Sequence, residues 1–319
     1  MKQELKLHQP FLTERANRFA LPDTNGMTLI GKWWHGSCES VAVIDSDHVA
    51  IGNGQLLQIL RIFDHGQPRV IGEVAVSGKV FDLTIRGRYA YVVNGGILDV
   101  VDITNFTQPV VIQTWSNGTP YRLVQADKRG WDFLYLGGGS LTVLSISTPG
   151  NPQLVTSEAI YQYIWWDMKQ YMSPDSGLFL YAQNSEGVWF DVFNLTDPAN
   201  PTRRAIEMLR VYSFAVTDHY LFVNNAPFIT VFDITDPMMP DSLTRFILPG
   251  FVYDMTVAGD SLYAGVSGTS SWLYTIDITN PDIPMIRDSL LHAGPGHYLT
   301  APLRKIVTLD QRLFLSTTL

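Results

Sequence analysis

At 319 residues, with 46% hydrophobic and 16% charged, the chain carries enough apolar material for a large core and is not disordered. A net charge of −8 and a pI of about 5.3 argue against nucleic acid, which needs a basic surface to displace counterions from phosphate. The single cysteine, Cys38, excludes an intrachain disulfide, and no apolar run is long enough to span a membrane. The start, Met1 to Lys6, lacks the apolar stretch of a signal peptide. The expectation is a soluble protein, cytoplasmic by default, with export left open.

Residues 1–26 read as an irregular arm punctuated by Pro10, Pro22 and Asn25-Gly26. Met27 to Trp34 then reads as a strand. From residue 39 a unit of about forty residues recurs. Its first strand is typified by Asp82-Leu83-Thr84-Ile85. After a polar turn comes a second strand, Tyr89–Val93, closed by Asn94-Gly95-Gly96. The third strand ends in Val100-Val101-Asp102-Ile103-Thr104-Asn105, and a loop with Pro109 leads to an apolar fourth strand, Val110–Trp115. β-Branched and aromatic residues between frequent turn signals make this all-β.

The loop proline falls at 68, 109, 152, 201, 240 and 284, with one long interval explained by a longer hairpin at Tyr171–Gly177. The second strand occurs seven times, near Val49–Gly52, Tyr89–Val93, Phe133–Leu136, Leu178–Ala182, Tyr220–Val223, Ser261–Ala264 and Arg312–Ser316. The third-strand phrase occurs six times. Such units predict a seven-bladed β-propeller of four-stranded antiparallel blades, one domain over 1–319. The two strands missing from the last blade are expected from the N-terminus, with Leu5–Leu7 as the third and Thr28–Trp34 as the fourth. The alternative is a frayed arm in which only Thr28–Trp34 joins the blade.

The combination of the Asp-led first strand, Tyr-Val-x-Asn-Gly and Val-x-Asp-Ile-Thr-Asn/Asp followed by proline resembles the LVIVD-repeat family of β-propellers. The match covers residues 39–319. It is close at 80–112, 212–247 and 253–290, and degenerate at Arg61-Ile62-Phe63-Asp64. The resemblance implies a propeller and no particular activity.

First strands line a propeller's channel, so their starts should ring its mouth. Aligned repeats place Val41, Asp82, Arg122, Asp167, Ser213, Asp254 and Lys305 there. One reading is a polar ligand site, with Asp82, Asp167 and Asp254 accepting hydrogen bonds or holding a metal, and Arg122 and Lys305 holding an anion. The other is structural: Asp belongs to the repeat, and these carboxylates bond backbone amides and neighbouring cations. Phe81, Tyr121, Trp165, Trp166, Phe214 and Tyr253 stand beside the ring. Trp165, Trp166 and Tyr253 are candidates for a floor that stacks on a sugar or aromatic ligand; the structural reading is inter-blade packing, with Trp165-Trp166 set apart because adjacent residues cannot both face one core. The long connection Leu291–Tyr298 brings His292 and His297 to the same mouth. His35-Gly36-Ser37-Cys38-Glu39 collects reactive side chains, but a lone cysteine at a strand edge is usually filler.

Nucleotide, hydrolase and zinc signatures are absent from the sequence, and no cofactor or metal is expected. The reading is a non-catalytic binding propeller that engages a protein or a small polar or carbohydrate ligand. The alternative is a hydrolase or lyase using Asp82, Asp167, Asp254 and His297 as acid/base groups.

Overall fold

In a computed structural model of the chain, the repeated runs become antiparallel strands joined by short turns. The structure describes residues 38–63, 67–159, 165–174, 177–184, 189–207, 211–267, 271–293, 303–309 and 312–317. Blade 1 comprises β1–β4 (Cys38–Val43, His48–Asn53, Leu56–Arg61, Arg69–Ala75). Blade 2 comprises β5–β8 (Asp82–Arg86, Tyr89–Val93, Leu98–Asp102, Val110–Trp115). Blade 3 comprises β9–β12 (Tyr121–Ala126, Phe133–Gly138, Ser140–Ser145, Gln153–Ala159). Blade 4 comprises β13–β16 (Trp165–Ser173, Gly177–Asn184, Trp189–Asn194, Thr202–Glu207). Blade 5 comprises β17–β20 (Ser213–Val216, Tyr220–Asn224, Phe228–Asp233, Asp241–Ile247). Blade 6 comprises β21–β24 (Phe251–Ala258, Ser261–Ser267, Ser271–Asp277, Met285–Ala293). A two-stranded sheet follows, β25 and β26 (Leu303–Leu309, Arg312–Thr317).

The expected seven four-stranded blades are therefore six. Every anticipated second strand forms, but the third-strand phrase has six copies and each four-stranded sheet uses one. The seventh unit is a hairpin among the described residues. The segments expected to complete it, Leu5–Leu7 and Thr28–Trp34, lie outside the described residues, as does the arm 1–26. First strands pack in sequence, β1 on β5, then β9, β13, β17, β21 and β25, and β25 returns to β1. The ring thus has seven inner strands. None of the described residues forms a helix long and apolar enough to cross a membrane.

The core lies in the seams. One cluster joins Ala50, Leu57 and Ile59 of blade 1 to Leu83, Val92 and Val101 of blade 2, and another joins Tyr135 and Val143 of blade 3 to Met168 and Leu180 of blade 4. Both faces of a blade are covered, which is why many strands are apolar on both sides.

The recurring phrase closes a double turn. Asp102 accepts the Thr104 amide at 2.8 Å, Asp233 that of Thr235 at 2.7 Å, and Asp277 that of Thr279 at 2.9 Å. Three residues on, Asn105, Asp236 and Asn280 repeat the bond to Thr107, Met238 and Asp282. Between them a buried isoleucine donates its amide to the preceding hairpin: Ile103 to Arg88, Ile234 to His219, Ile278 to Asp260. The six loop prolines each stand immediately before the fourth strand, where a missing N–H breaks no ladder.

These bonds favour ionised carboxylates. The hydroxyls and amides of Thr104 and Thr235 hold Asp102 and Asp233 below the ordinary range, and the Thr279 amide does the same for Asp277. A carboxylate whose folded pKa is depressed contributes stability above its unfolded pKa of about 4, which is lost as pH falls through the folded value. The urea midpoint is expected to fall as pH drops below about 4. In the combined variant Asp102→Asn, Asp233→Asn, Asp277→Asn, which keeps the acceptor without the charge, that acid slope should be shallower. An unchanged slope would remove these turns as its source.

Candidate functional site

Strand register defines the channel-mouth level. Asp82 lies opposite Val93, Asp167 opposite Gln183, Ser213 opposite Asn224, Asp254 opposite Gly265 and Lys305 opposite Ser316. In blades 1 and 3 the level is held by Ser40, opposite Gly52, and Leu123, opposite Gly137. Val41 and Arg122, expected there, are one residue off. The cause is a β-bulge at the start of the inner strand, which inserts a residue and shifts the register by one. The inserted residues are Glu39, Arg122, Trp166, Tyr253 and Arg304.

At this level the side chains tie each blade to the next. Ser40 Oγ donates to Asp82 Oδ1 at 2.7 Å and accepts the Leu83 amide at 3.3 Å. Asp82 Oδ2 accepts the Val124 amide of β9 at 3.1 Å, and Asp254 Oδ2 accepts the Ile306 amide of β25 at 2.8 Å. At Ser40, Asp82 and Asp254 the mouth-level side chain accepts the next blade's amide one residue beyond that level, whereas Leu123 has no acceptor and Ser213 Oγ is buried without a hydrogen-bond partner. This is why the repeat carries Asp there. The second strand adds its own ties, Gln183 Nε2 to Val211 O at 2.6 Å and Asn224 Nδ2 to Val252 O at 2.9 Å. In blade 1 the equivalent residue is Gly52, where an added Cβ would lie 2.4 Å from Val80 of the next blade.

Two residues beyond the mouth level, side chains donate to carbonyls. Gln125 Nε2 bonds Met168 O. Lys169, not singled out in the sequence, reaches furthest. Its Nζ donates to Phe214 O and Met255 O, both at 2.6 Å, and to Asp254 Oδ1 at 3.1 Å, and lies 3.3 Å from Asp167 Oδ2. It therefore joins β13 to β17 and β21. Burial opposes its charge, but Asp167 and Asp254 outweigh it and raise its pKa above the ordinary lysine value. A lysine stands out here: the matching residues are Ala42, Thr84, Gln125, Ala215, Thr256 and Val307.

The remaining candidates separate. Trp165 is fully buried, and its Nε1 donates to Asp191 Oδ2 at 2.9 Å. Tyr121 and Phe214 are buried too. The side chains of Trp166, Lys305 and His292 and the whole of His297 lie outside the described residues. Exposed at the mouth are Arg122, with its guanidinium 4.9 Å from the Phe81 ring centre, Tyr212 and Tyr253, with the half-buried Phe251 between the two tyrosines. Those three rings form an edge-to-face row, with centres 4.7 and 4.9 Å apart. Tyr212 is 40% exposed and Tyr253 37%. Cys38 Sγ donates to Ser40 O, and Glu39 pairs with Lys79 at 2.8 Å. Among the described residues no three His, Cys, Asp or Glu side chains cluster as metal ligands would.

Inner strands in a ring, each opening a four-stranded antiparallel sheet, define a β-propeller. Within that class the LVIVD repeat family matches residues 77–116 and 132–158, in blades 2 and 3. The chain is a β-propeller that carries LVIVD repeats over those two stretches. No curated protein matches the sequence significantly. Solved propellers resemble the fold at low identity. Sqt1 of Saccharomyces cerevisiae shares 10% identity at a TM-score of 0.65, covering 93% of this chain and 97% of that chain. Sqt1 of Chaetomium thermophilum, bound to the N-terminus of ribosomal protein L10, shares 17% at 0.62, covering 87% and 80%. The periplasmic gluconolactonase PpgL of Pseudomonas aeruginosa shares 12% at 0.65, covering 80% and 85%.

Proposed function

We propose that the chain is a non-catalytic binding propeller whose strand-start mouth receives a protein segment or a small polar ligand. The observation that carries this reading is the division of labour at the mouth. The inward carboxylates Asp82 and Asp254 are engaged by amides, Ser40 and Lys169, whereas Arg122, Tyr212 and Tyr253 are exposed. An acid/base mechanism needs titratable groups open to a substrate, and these two carboxylates hold the ring instead. Exposed tyrosine and arginine are the residues that anchor interfaces. Sqt1 bound to the L10 N-terminus is a precedent for a propeller that takes a chain terminus.

Thermal-shift screening against peptides, oligosaccharides and organic acids tests this. A ligand at a hundred times its Kd stabilises by about 2.7 kcal/mol. The expected result is one stabilising class whose effect is lost in Arg122→Ser and in the double variant Tyr212→Ala, Tyr253→Ala. A ligand that stabilises both variants as it does the wild type would place binding elsewhere.

A further inference from the structure

The opposite face, formed by the hairpins between first and second strands, carries a different feature. In blade 2 that turn is only Gly87 and Arg88, whereas in blade 3 it extends over residues 127–132. The LVIVD match stops at residue 116 and resumes at 132, so the repeat does not account for this turn.

The turn is locked. The buried Asp127 carboxylate accepts Arg129 Nε at 3.0 Å, Arg129 Nη2 at 2.6 Å, the Arg129 amide at 2.8 Å and the Tyr135 hydroxyl at 2.6 Å. Arg129 Nη1 reaches Thr196 O of blade 4, and Arg86 of blade 2 donates to Gly130 O. All this positions Trp131 in the open. The Arg129 guanidinium covers one face of its indole, 3.6 Å from the ring centre, yet Trp131 remains 48% exposed. A rigid turn that holds a large apolar side chain in water gains nothing for folding. It does lower the ordering cost of binding, and tryptophan and arginine are both enriched among the residues that anchor interfaces.

Cations gather around Trp131 on an acidic protein. Arg86, Arg88, Lys128 and Arg129 stand on these two hairpins. Of the nearby acids, Asp127 is neutralised by Arg129, Asp102 is turned to the Thr104 amide, Asp132 lies 4.0 Å from Arg86, and Asp218 acts on Lys128. Lys128 is exposed as a residue, while its Nζ donates to Gln170 O at 2.7 Å and is desolvated enough to lower its pKa.

We propose that the turn Asp127–Asp132 is a preformed docking platform for an acidic, extended segment of a partner protein. An apolar or proline side chain of that segment stacks on the free face of Trp131. Its carboxylates meet Arg86, Arg88 and Lys128.

The probe is a fluorescein-labelled peptide of repeated Glu-Glu-Pro-Phe, with its Lys-Lys-Pro-Phe counterpart as control, read by anisotropy. The wild type should bind the acidic peptide, more weakly as salt rises, and bind the basic one at least tenfold less tightly. Trp131→Ala, the charge reversal Lys128→Glu and the pair Arg86→Ser, Arg88→Ser should each weaken binding at least tenfold. Arg204→Ser, an exposed cation on the outer strand β16 of blade 4, should leave it unchanged. Three outcomes would overturn the proposal: no binding of the acidic peptide by the wild type, equal binding by Trp131→Ala or Lys128→Glu, or equal weakening by Arg204→Ser. Melting curves of each variant separate lost binding from lost fold.

Discussion

Replacing Lys169 with methionine is expected to destabilise the propeller by about 3 kcal/mol. Methionine fills a similar volume, so the loss is electrostatic. The Phe214 and Met255 carbonyls lose their donor, and Asp167 and Asp254 lose the cation between them. Breaking a buried pair by removing one partner costs about 3–5 kcal/mol. The lower end applies because the Lys169 side chain is 23% exposed in the channel. Asp254 also anchors the Ile306 amide, so the β21–β25 seam should loosen with it. A folded pKa above the unfolded value contributes stability in full below about 10.4, lost as pH rises through the folded value. The variant should therefore show less loss of stability at alkaline pH. Urea unfolding at neutral and alkaline pH reads both effects, and a midpoint equal to that of the wild type would show that the clamp carries no stability.

Much of the fold was legible because it is written in residue types at a fixed spacing. The phrase from Val100 to Asn105 needs Asp and Asn to cap two turns, an isoleucine to fill the seam and a proline just before the fourth strand. Each demand is local, so sequence shows it. The mouth was less legible because it depends on bulges. Residue types do not show that Arg122 and Glu39 are inserted residues, and without that knowledge the ring slips by one in blades 1 and 3. In blade 4 the register shift falls between Trp165 and Asp167, so Trp166 is an inserted residue of the backbone ladder that sequence could not distinguish from its neighbour. Lys169 was missed because the carbonyls it bonds, those of Phe214 and Met255, lie 45 and 86 residues away. Comparing the repeats column by column would have shown it as a lone cation among small and neutral residues. The Trp131 platform was missed for the opposite reason: repeat alignment draws attention away from what the repeat lacks.

Trp165→Ala should be among the most damaging single substitutions in the chain, about 3–5 kcal/mol. Sequence made Trp165 a candidate ligand platform, and the two roles predict different outcomes. A stacking residue at an open mouth can be truncated with little effect on stability. Trp165 is instead fully buried between blades 3 and 4, among Tyr135, Met168, Leu180 and Phe193, with the Phe193 ring edge-on at 5.3 Å. Truncation leaves an indole-sized cavity. It also takes a donor from Asp191, a buried carboxylate then held by Arg203. Trp165→Phe separates the two contributions. It retains most of the packing and loses only the bond to Asp191, so roughly 1–2 kcal/mol is expected. The order of urea midpoints should be wild type, then Phe, then Ala, with equal slopes if the unfolding stays two-state. A wild-type midpoint for the alanine variant would return Trp165 to the mouth as a ligand contact. The predicted order would instead leave aromatic contacts at the mouth to other rings, among them Tyr212, Phe251 and Tyr253.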